Sequence, residues 1–571
     1  MENTKKESTQ SFMNNVTVIL ISQILVKILG AAYRMVITNI DGFGDAGNGI
    51  YNVGFQIYTL LLAISSVGIP NAISKMTSER IALNDYKGAH KIFKTALLLF
   101  SVIGAVSSMI LFFGAEFFAN AIHYPRSVYV MQALAPSLLF VCVSSVIRGY
   151  FTGMKNMKAT SYSQVLEQIF KCTLTIVFVY ATSLLISDTN ADKTPLMAAW
   201  ANFATSTATI ISMLYLIYFY YKRKSELEEK IKNSDGETLS ISKRRLIIGI
   251  LMISIPISLG SVITAINRVV DTATISRGIE IAFGSLIPAH GATEAIINPT
   301  QYQLTLEIER LSGLLSKSDI LYNMPLAVNF AFATVLVPYV ASALKIKDYT
   351  EAASKINYSL LVSILIILPC AIGLIVLAEP IYKIIYFNAP SGFELLQLVS
   401  VSLIFAALAQ TMTGSLQGIG KVFVPAISLL FGCAAKIILN ILLIRIPSVN
   451  IYGAAISSIA CQFISCTICF IVLAKNCRLR ITPLKYIVKP LICGGLMGIA
   501  AIAVYKAIMF VIQDGFVQNL TATIISIAVA VIVYFLSVFR LRILSADEVK
   551  QLPAGNKIYR GLIKIGLYSA E

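Results

Sequence analysis

The chain has 571 residues, of which 57% are hydrophobic and 13% charged, with a mean hydropathy of +0.77. Soluble domains carry about 25% charged residues, so this composition excludes a water-soluble globular enzyme and points to an all-α polytopic membrane protein. The net charge of +17 would suit nucleic acid as well as a membrane surface, so its placement along the chain has to decide between them.

Apolar runs of ~20 or more residues, long enough to cross a bilayer as helices, recur fourteen times. They fall at about 12–38, 50–74, 95–119, 128–150, 160–186, 196–221, 246–276, 319–344, 356–378, 393–416, 422–446, 451–474, 486–511 and 518–539. The runs are too long and continuous for barrel strands, which alternate over ~10 residues. The first run is too long for a signal peptide and lacks a small-residue cleavage site. With the N-terminus inside, 33 of the 46 Lys and Arg fall in inner segments, eight in outer segments and five within spans. This asymmetry predicts fourteen spans with both termini on the cytoplasmic side. The excess charge then faces anionic membrane lipid, and no nucleic acid is needed as a partner.

Three stretches divide the chain. The inner loop 222–245 separates residues 1–221, an expected N-lobe of six helices, from 246–474, an expected C-lobe of six. Residues 475–571 hold two further helices and a cytoplasmic tail. The outer loop 277–318 is moderately polar and is expected to be a solvated excursion or a re-entrant cap. The lobes repeat one another in order. Pro70 matches Pro338, and NDYKGAHKIFKTAL at 84–97 matches KDYTEAASKINYSL at 347–360. Gly149, Gly153 and Lys171 match Gly414, Gly418 and Lys436. Such repeats are typical of transporters that rock two bundles about a central cavity.

The five cations inside spans are Lys27, Arg34, Lys171, Arg268 and Lys436, with the acids Glu167 and Asp271. Charges in hydrocarbon cost several kcal/mol and usually face a bundle interior or a watery cavity. Lys27 and Arg34 lie seven residues apart, about 10 Å along one helix face. Glu167 and Lys171 at i,i+4, and Arg268 and Asp271 at i,i+3, are each spaced to meet on their own helix. Lys27, Arg34 and Lys436 have no such local acid, so the set is net positive and implies an anionic ligand. Arg34 and Arg268 lie nearer the outer end, where snorkelling is the competing role. For Glu167 and Lys171 the alternative is a structural ion pair. Asn48, Asn267, Gln23, Gln164, Gln168, Gln410 and Asn440 are candidate sugar or phosphate donors, although polar residues also join helices.

No nucleotide-binding phosphate loop, HExxH metal motif or nucleophile elbow occurs, so the expectation is a transporter and not an enzyme. No cofactor is identified, and a membrane potential or ion gradient is the remaining energy source. Cys466 and Cys469 form a CxxC inside a span, with no second pair and no nearby His, and read as small core residues.

The stretches SSVIRGYFTGMKNMKATSYSQVLEQIFK (144–171), GIPNAISK (68–75) and ADEVKQLPAGNKI (546–558) resemble the stage V sporulation protein B and MurJ-type lipid II flippase family. That family is the polysaccharide transporter branch of the multidrug/oligosaccharidyl-lipid/polysaccharide exporter superfamily. The resemblance implies two six-helix lobes around a V-shaped cavity, with helices 13 and 14 forming a groove for a lipid tail. It implies translocation of an undecaprenyl-pyrophosphate-linked sugar, peptidoglycan lipid II foremost, from inner to outer leaflet. KILGAAYR resembles the family's basic first-helix motif, so Lys27 and Arg34 correspond to cavity cations. Asn48 stands where this group often has an acid, and its second-helix arginine is missing from 55–69; both departures leave the exact substrate open. The implied partners are the lipid-linked oligosaccharide and membrane lipids, for a monomer with envelope-synthesis enzymes as candidate neighbours. Competing readings are an exporter of other lipid-linked polysaccharide units, a cation-coupled multidrug exporter and a non-transporting envelope scaffold.

Overall fold

The computed structural model describes residues 25–186, 192–232, 234, 242–289, 294–345, 349–477, 479, 482–511, 515–550, 555–564 and 568. Side chains are not described at 256, 331–332, 334–351, 547, 550 and 555–558. Gln23 and the start of the first predicted span lie outside the described residues. The architecture is all-α. Among the described residues, eleven helical stretches are long and apolar enough to cross a membrane, and a helix bent by 52° between Ile255 and Ile257 makes a twelfth if the bent pair is one span. The intervening residue is proline, which removes a helical hydrogen bond and crowds the preceding turn. The chain is a multi-pass membrane protein. Of the fourteen predicted spans, 12–38 is described only from residue 25, and 319–344 runs inside a 45-residue helix, Gln301–Lys345.

Two compact units divide the chain. The first comprises residues up to Lys317 together with Ile437–Ala454. It contains α1 (25–38), α2 (Gly44–Ser65), α3 (Ile69–Ala82), α4 (Tyr86–Phe113), α5 (Ala115–Ala121), α6 (Val128–Gly153), α7 (Lys158–Leu185), α8 (Thr194–Lys222), α9 (Lys224–Lys232) and the bent α10 (Lys243–Phe283). A two-residue antiparallel ribbon, β1 (Leu286–Ile287) with β2 (Ile296–Ile297), then leads into α11 (Gln301–Lys345). Helix α6 packs against α3, α4 and α8, and α7 packs on α8. Ile73, Phe93, Phe100, Val146, Tyr150 and Leu216 fill the core beneath them. The Gly149 and Gly153 pair has a physical reason here. A Cβ at Gly149 would sit 2.8 Å from the Pro70 carbonyl oxygen, so glycine lets α6 touch the backbone of α3.

The second unit comprises Ser318–Lys436 and Ala455–Glu571. It contains the rest of α11, α12 (Tyr349–Val376), α13 (Ala378–Ile385), α14 (Phe393–Gly418), and parts of α15 (Val424–Leu443) and α16 (Asn450–Asn476). α17 (Lys489–Val511), α18 (Phe516–Arg540) and two short tail helices, α19 (Ala546–Lys550) and α20 (Gly555–Lys564), complete it. α12 packs on α14 and α17, and α17 pairs with α18. Cys466 and Cys469 are buried in this core beside Met497 and Tyr534. Fully buried Asn329 donates to Gln410 Oε1 at 2.8 Å and accepts from Ser363 Oγ, so Gln410 joins helices inside this unit.

Of the two expectations for 277–318, a solvated excursion or a re-entrant cap, the described residues do not fit the first. The stretch is the end of α10, the ribbon and the first turns of α11. Ile308, Glu309, Leu311, Leu314 and Lys317 are buried. The physical reason is close helix approach. A Cβ at Gly49 would fall 2.2 Å from the Glu309 carbonyl oxygen, and one at Gly313 would fall 1.8 Å from that of Asp45. Glycines on both partners let α11 lie against α2.

Candidate functional site

The first unit gathers cations along α1. Arg34 donates from Nη2 to Ser316 Oγ at 2.9 Å, and its guanidinium lies 4.5 Å from the Tyr51 ring centroid. The hydroxyls of Tyr51 and Tyr33 are hydrogen bonded at 2.8 Å, and both residues are buried. Lys171 Nζ lies 5.0 Å from the Phe55 ring and 5.8 Å from the Tyr33 ring. α1, α2 and α7 thus supply an aromatic bed on which two cations rest, each contact contributing ~1–2 kcal/mol. Lys27 is exposed on α1, as is Arg268 on α10, and the two are near enough to repel electrostatically. Among the described residues, Lys27, Arg34, Lys171 and Arg268 form no ion pair with an acid.

The remaining predicted residues are placed differently. Glu167, expected to meet Lys171, instead binds Arg148 Nη2 at 2.7 Å. Arg148 also donates to Ser163 at 2.9 Å and Ser212 at 2.8 Å. The planar guanidinium can serve α7 and α8 together, whereas the Lys171 ammonium is held over rings. Asp271, expected to meet Arg268, accepts from Asn440 Nδ2 at 2.7 Å, and that amide also reaches Thr274 Oγ1 at 3.0 Å. Asn48 is fully buried and donates to Thr38 Oγ1 at 2.7 Å and Gly44 O at 3.0 Å, which ties α1 to α2. Asn267 is half-buried beside Arg268, and its side-chain oxygen has no hydrogen-bond partner among the described residues. Lys436 is half-buried on α15, in the second unit.

A second charged group lies in this unit, among residues that the span count places in outer segments. Asp45 binds the fully buried Lys317 at 2.6 Å. Arg126 bridges Glu309 at 2.6 Å and also pairs with Asp192. Tyr302 donates its hydroxyl to Asp192 at 3.0 Å, and Tyr124 is hydrogen bonded to Ser312. Burial pushes the Glu309 carboxyl up to about 8, against the pull of the Arg126 guanidinium. The available signal was Gly49 and Gly313, small residues that permit the close approach of α2 and α11 that buries these charges.

A family model described as polysaccharide biosynthesis protein matches residues 12–344, and one described as lipid II flippase MurJ matches residues 306–540. The lipid II flippase MurJ of Bacillus subtilis (strain 168) is 25% identical over 92% of this chain and 95% of its own. Stage V sporulation protein B of the same organism is 21% identical over 95% of this chain and 98% of its own. A solved structure of the lipid II flippase MurJ in an inward closed conformation superposes with a TM-score of 0.62. It is 14% identical and covers 97% of this chain and 99% of the other. The resemblance read in residues 68–75, 144–171 and 546–558 therefore extends over nearly the whole sequence, and the chain belongs to the polysaccharide biosynthesis protein family.

Proposed function

We propose that this protein is a flippase that moves lipid-linked sugar precursors from the inner to the outer leaflet of a bacterial plasma membrane. Peptidoglycan lipid II is the leading substrate. The observation that carries the reading is the set Lys27, Arg34, Lys171 and Arg268, which share one unit without a neutralising acid among the described residues. Unpaired cations in spans are costly unless an anion joins them, and a pyrophosphate supplies at least two negative charges. The relatives support the same class, since MurJ of Bacillus subtilis is named a lipid II flippase.

In this mechanism Lys27 and Arg268 attract the pyrophosphate because their mutual repulsion is relieved by an anion between them. Arg34 and Lys171 are oriented in advance by Tyr51, Tyr33 and Phe55, so little side-chain entropy is lost on binding. Asn267 offers an amide to phosphate or sugar. Spans 13 and 14 accommodate the prenyl tail. Two six-helix lobes, 1–221 and 246–474, rock to expose the site alternately. The cycle draws on a membrane potential or ion gradient. Other lipid-linked polysaccharide units carry the same pyrophosphate and form the second reading, favoured by the family's description. A cation-coupled drug exporter would need an acid-rich cavity, which this cluster is not.

The test is complementation of a flippase-deficient strain. Lys27→Ala, at normal protein level, abolishes growth rescue, and Lys27→Arg retains it. Full rescue by Lys27→Ala sinks the site assignment.

A further inference from the structure

A basic cavity of about 520 Å³ lies where the tail folds back on the α17–α18 hairpin. Its lining includes Lys485, Lys489, Arg542, Tyr559 and Tyr568, none of which belongs to the cation cluster above. Lys485 is neutralised by Glu548, at 2.8 and 2.9 Å to the two carboxylate oxygens. Glu548 also accepts from the Ser545 N–H at 2.8 Å, which fixes it. Lys489 donates one proton to the Leu541 carbonyl at 2.9 Å and keeps two. Arg542 has neither a hydrogen bond nor an ion pair among the described residues.

The backbone at Arg542 adds a second observation. α18 ends with Ile543 N–H donating to Val538 O and Arg542 N–H to Phe539 O, a turn whose penultimate residue is left-handed. Arg542 occupies that position at φ +48°, where glycine is the usual residue. The helix end does not need a guanidinium there, yet the turn aims one at the cavity. The tail is held by its own core, with Tyr559, Leu562 and Tyr568 packed against Phe539, Ile543 and Val549, so the cavity is a built feature.

We propose that this cavity binds the phosphate of an anionic membrane phospholipid through Arg542 and Lys489. The lipid source follows from the apolar neighbours. Leu484 lines the cavity, and Leu484, Ile487, Val488, Leu491 and Ile492 are exposed along the helical turn Leu484–Val488 and the start of α17 that follows it. Acyl chains lie on that stripe while the headgroup reaches the cations. Basic pockets at the ends of spanning helices take anionic headgroups by this combination.

The test uses the purified full chain in detergent. Phosphatidylglycerol or phosphatidylcholine is added, retained lipid is counted by native mass spectrometry, and thermal unfolding is followed in parallel. The unaltered protein retains phosphatidylglycerol at least tenfold over phosphatidylcholine and unfolds several degrees higher with it. Arg542→Gly suits the left-handed turn, so the lipid-free protein unfolds no lower than before, while the preference falls at least fivefold. Lys489→Gln keeps a donor to Leu541 and weakens the preference similarly. Equal retention of the two lipids, or undiminished preference in both variants, overturns the proposal. An Arg542-dependent shift of the same size from millimolar inorganic phosphate overturns the lipid assignment.

Discussion

Lys27 and Arg34 were legible as cations within an apolar run, because the cost of a cation in hydrocarbon is a property of one residue and its depth. Their partners were not, because Arg34 meets Ser316 from 282 positions away. Arg148 shows how a window misleads. It sits in the last turns of the run 128–150 and was counted with the inner segment that starts at 148, whereas α6 continues to Gly153 and carries it into contact with Glu167. The nearer candidate, Lys171, was taken by aromatic faces that no local spacing reveals. The Arg148–Glu167 pair is mostly buried, with side-chain exposures of 11% and 27%. Charged hydrogen bonds of this kind contribute about 1.5–3 kcal/mol, and removing one partner strands the other. Arg148→Ala is therefore expected to destabilise by about 2 kcal/mol. Adding Glu167→Gln should restore part of that loss in a double-mutant cycle of thermal unfolding in detergent. Purely additive losses would show that the two do not interact.

At the level of elements, helix existence was readable from apolar length alone, since a span must satisfy its own backbone hydrogen bonds. The stretch 277–318 was misjudged because its acids and bases resemble a solvated loop. In the fold Asp45 pairs with Lys317, Arg126 meets Asp192 and Glu309, and Gly49 and Gly313 bring α2 and α11 into backbone contact. A methyl group at Gly313 has no room, because the Asp45 carbonyl cannot retreat without moving α2. Gly313→Ala should cost about 1–3 kcal/mol, the usual range for overpacking, read as a lower unfolding temperature in detergent. Asp45→Ala should cost about 3–5 kcal/mol, because it removes the carboxylate that lies 2.6 Å from the buried Lys317 ammonium. Pairing Asp45→Asn with Lys317→Gln should recover more than half of that. If Asp45→Ala unfolds like the unaltered protein, the pair is not holding α11.

On the scale of the whole molecule, the internal repeat and the basic inner segments pointed to a transporter before any coordinates. The motif blocks at 68–75, 144–171 and 546–558 pointed to the family, and two family models together span residues 12–540. What the sequence could not supply was which charges remain unpaired, because that depends on contacts between helices distant in the chain. The central claim is that Lys27, Arg34, Lys171 and Arg268 carry a pyrophosphate-linked sugar across the membrane. The measurement that tests it most directly is leaflet accessibility of lipid-linked precursor in a strain depleted of this protein. Precursor should accumulate in the inner leaflet on depletion, return to the outer leaflet with the unaltered chain, and remain at least tenfold less accessible with Lys27→Ala at equal protein level. Normal outer-leaflet precursor in the depleted strain, or with Lys27→Ala alone, would contradict the account.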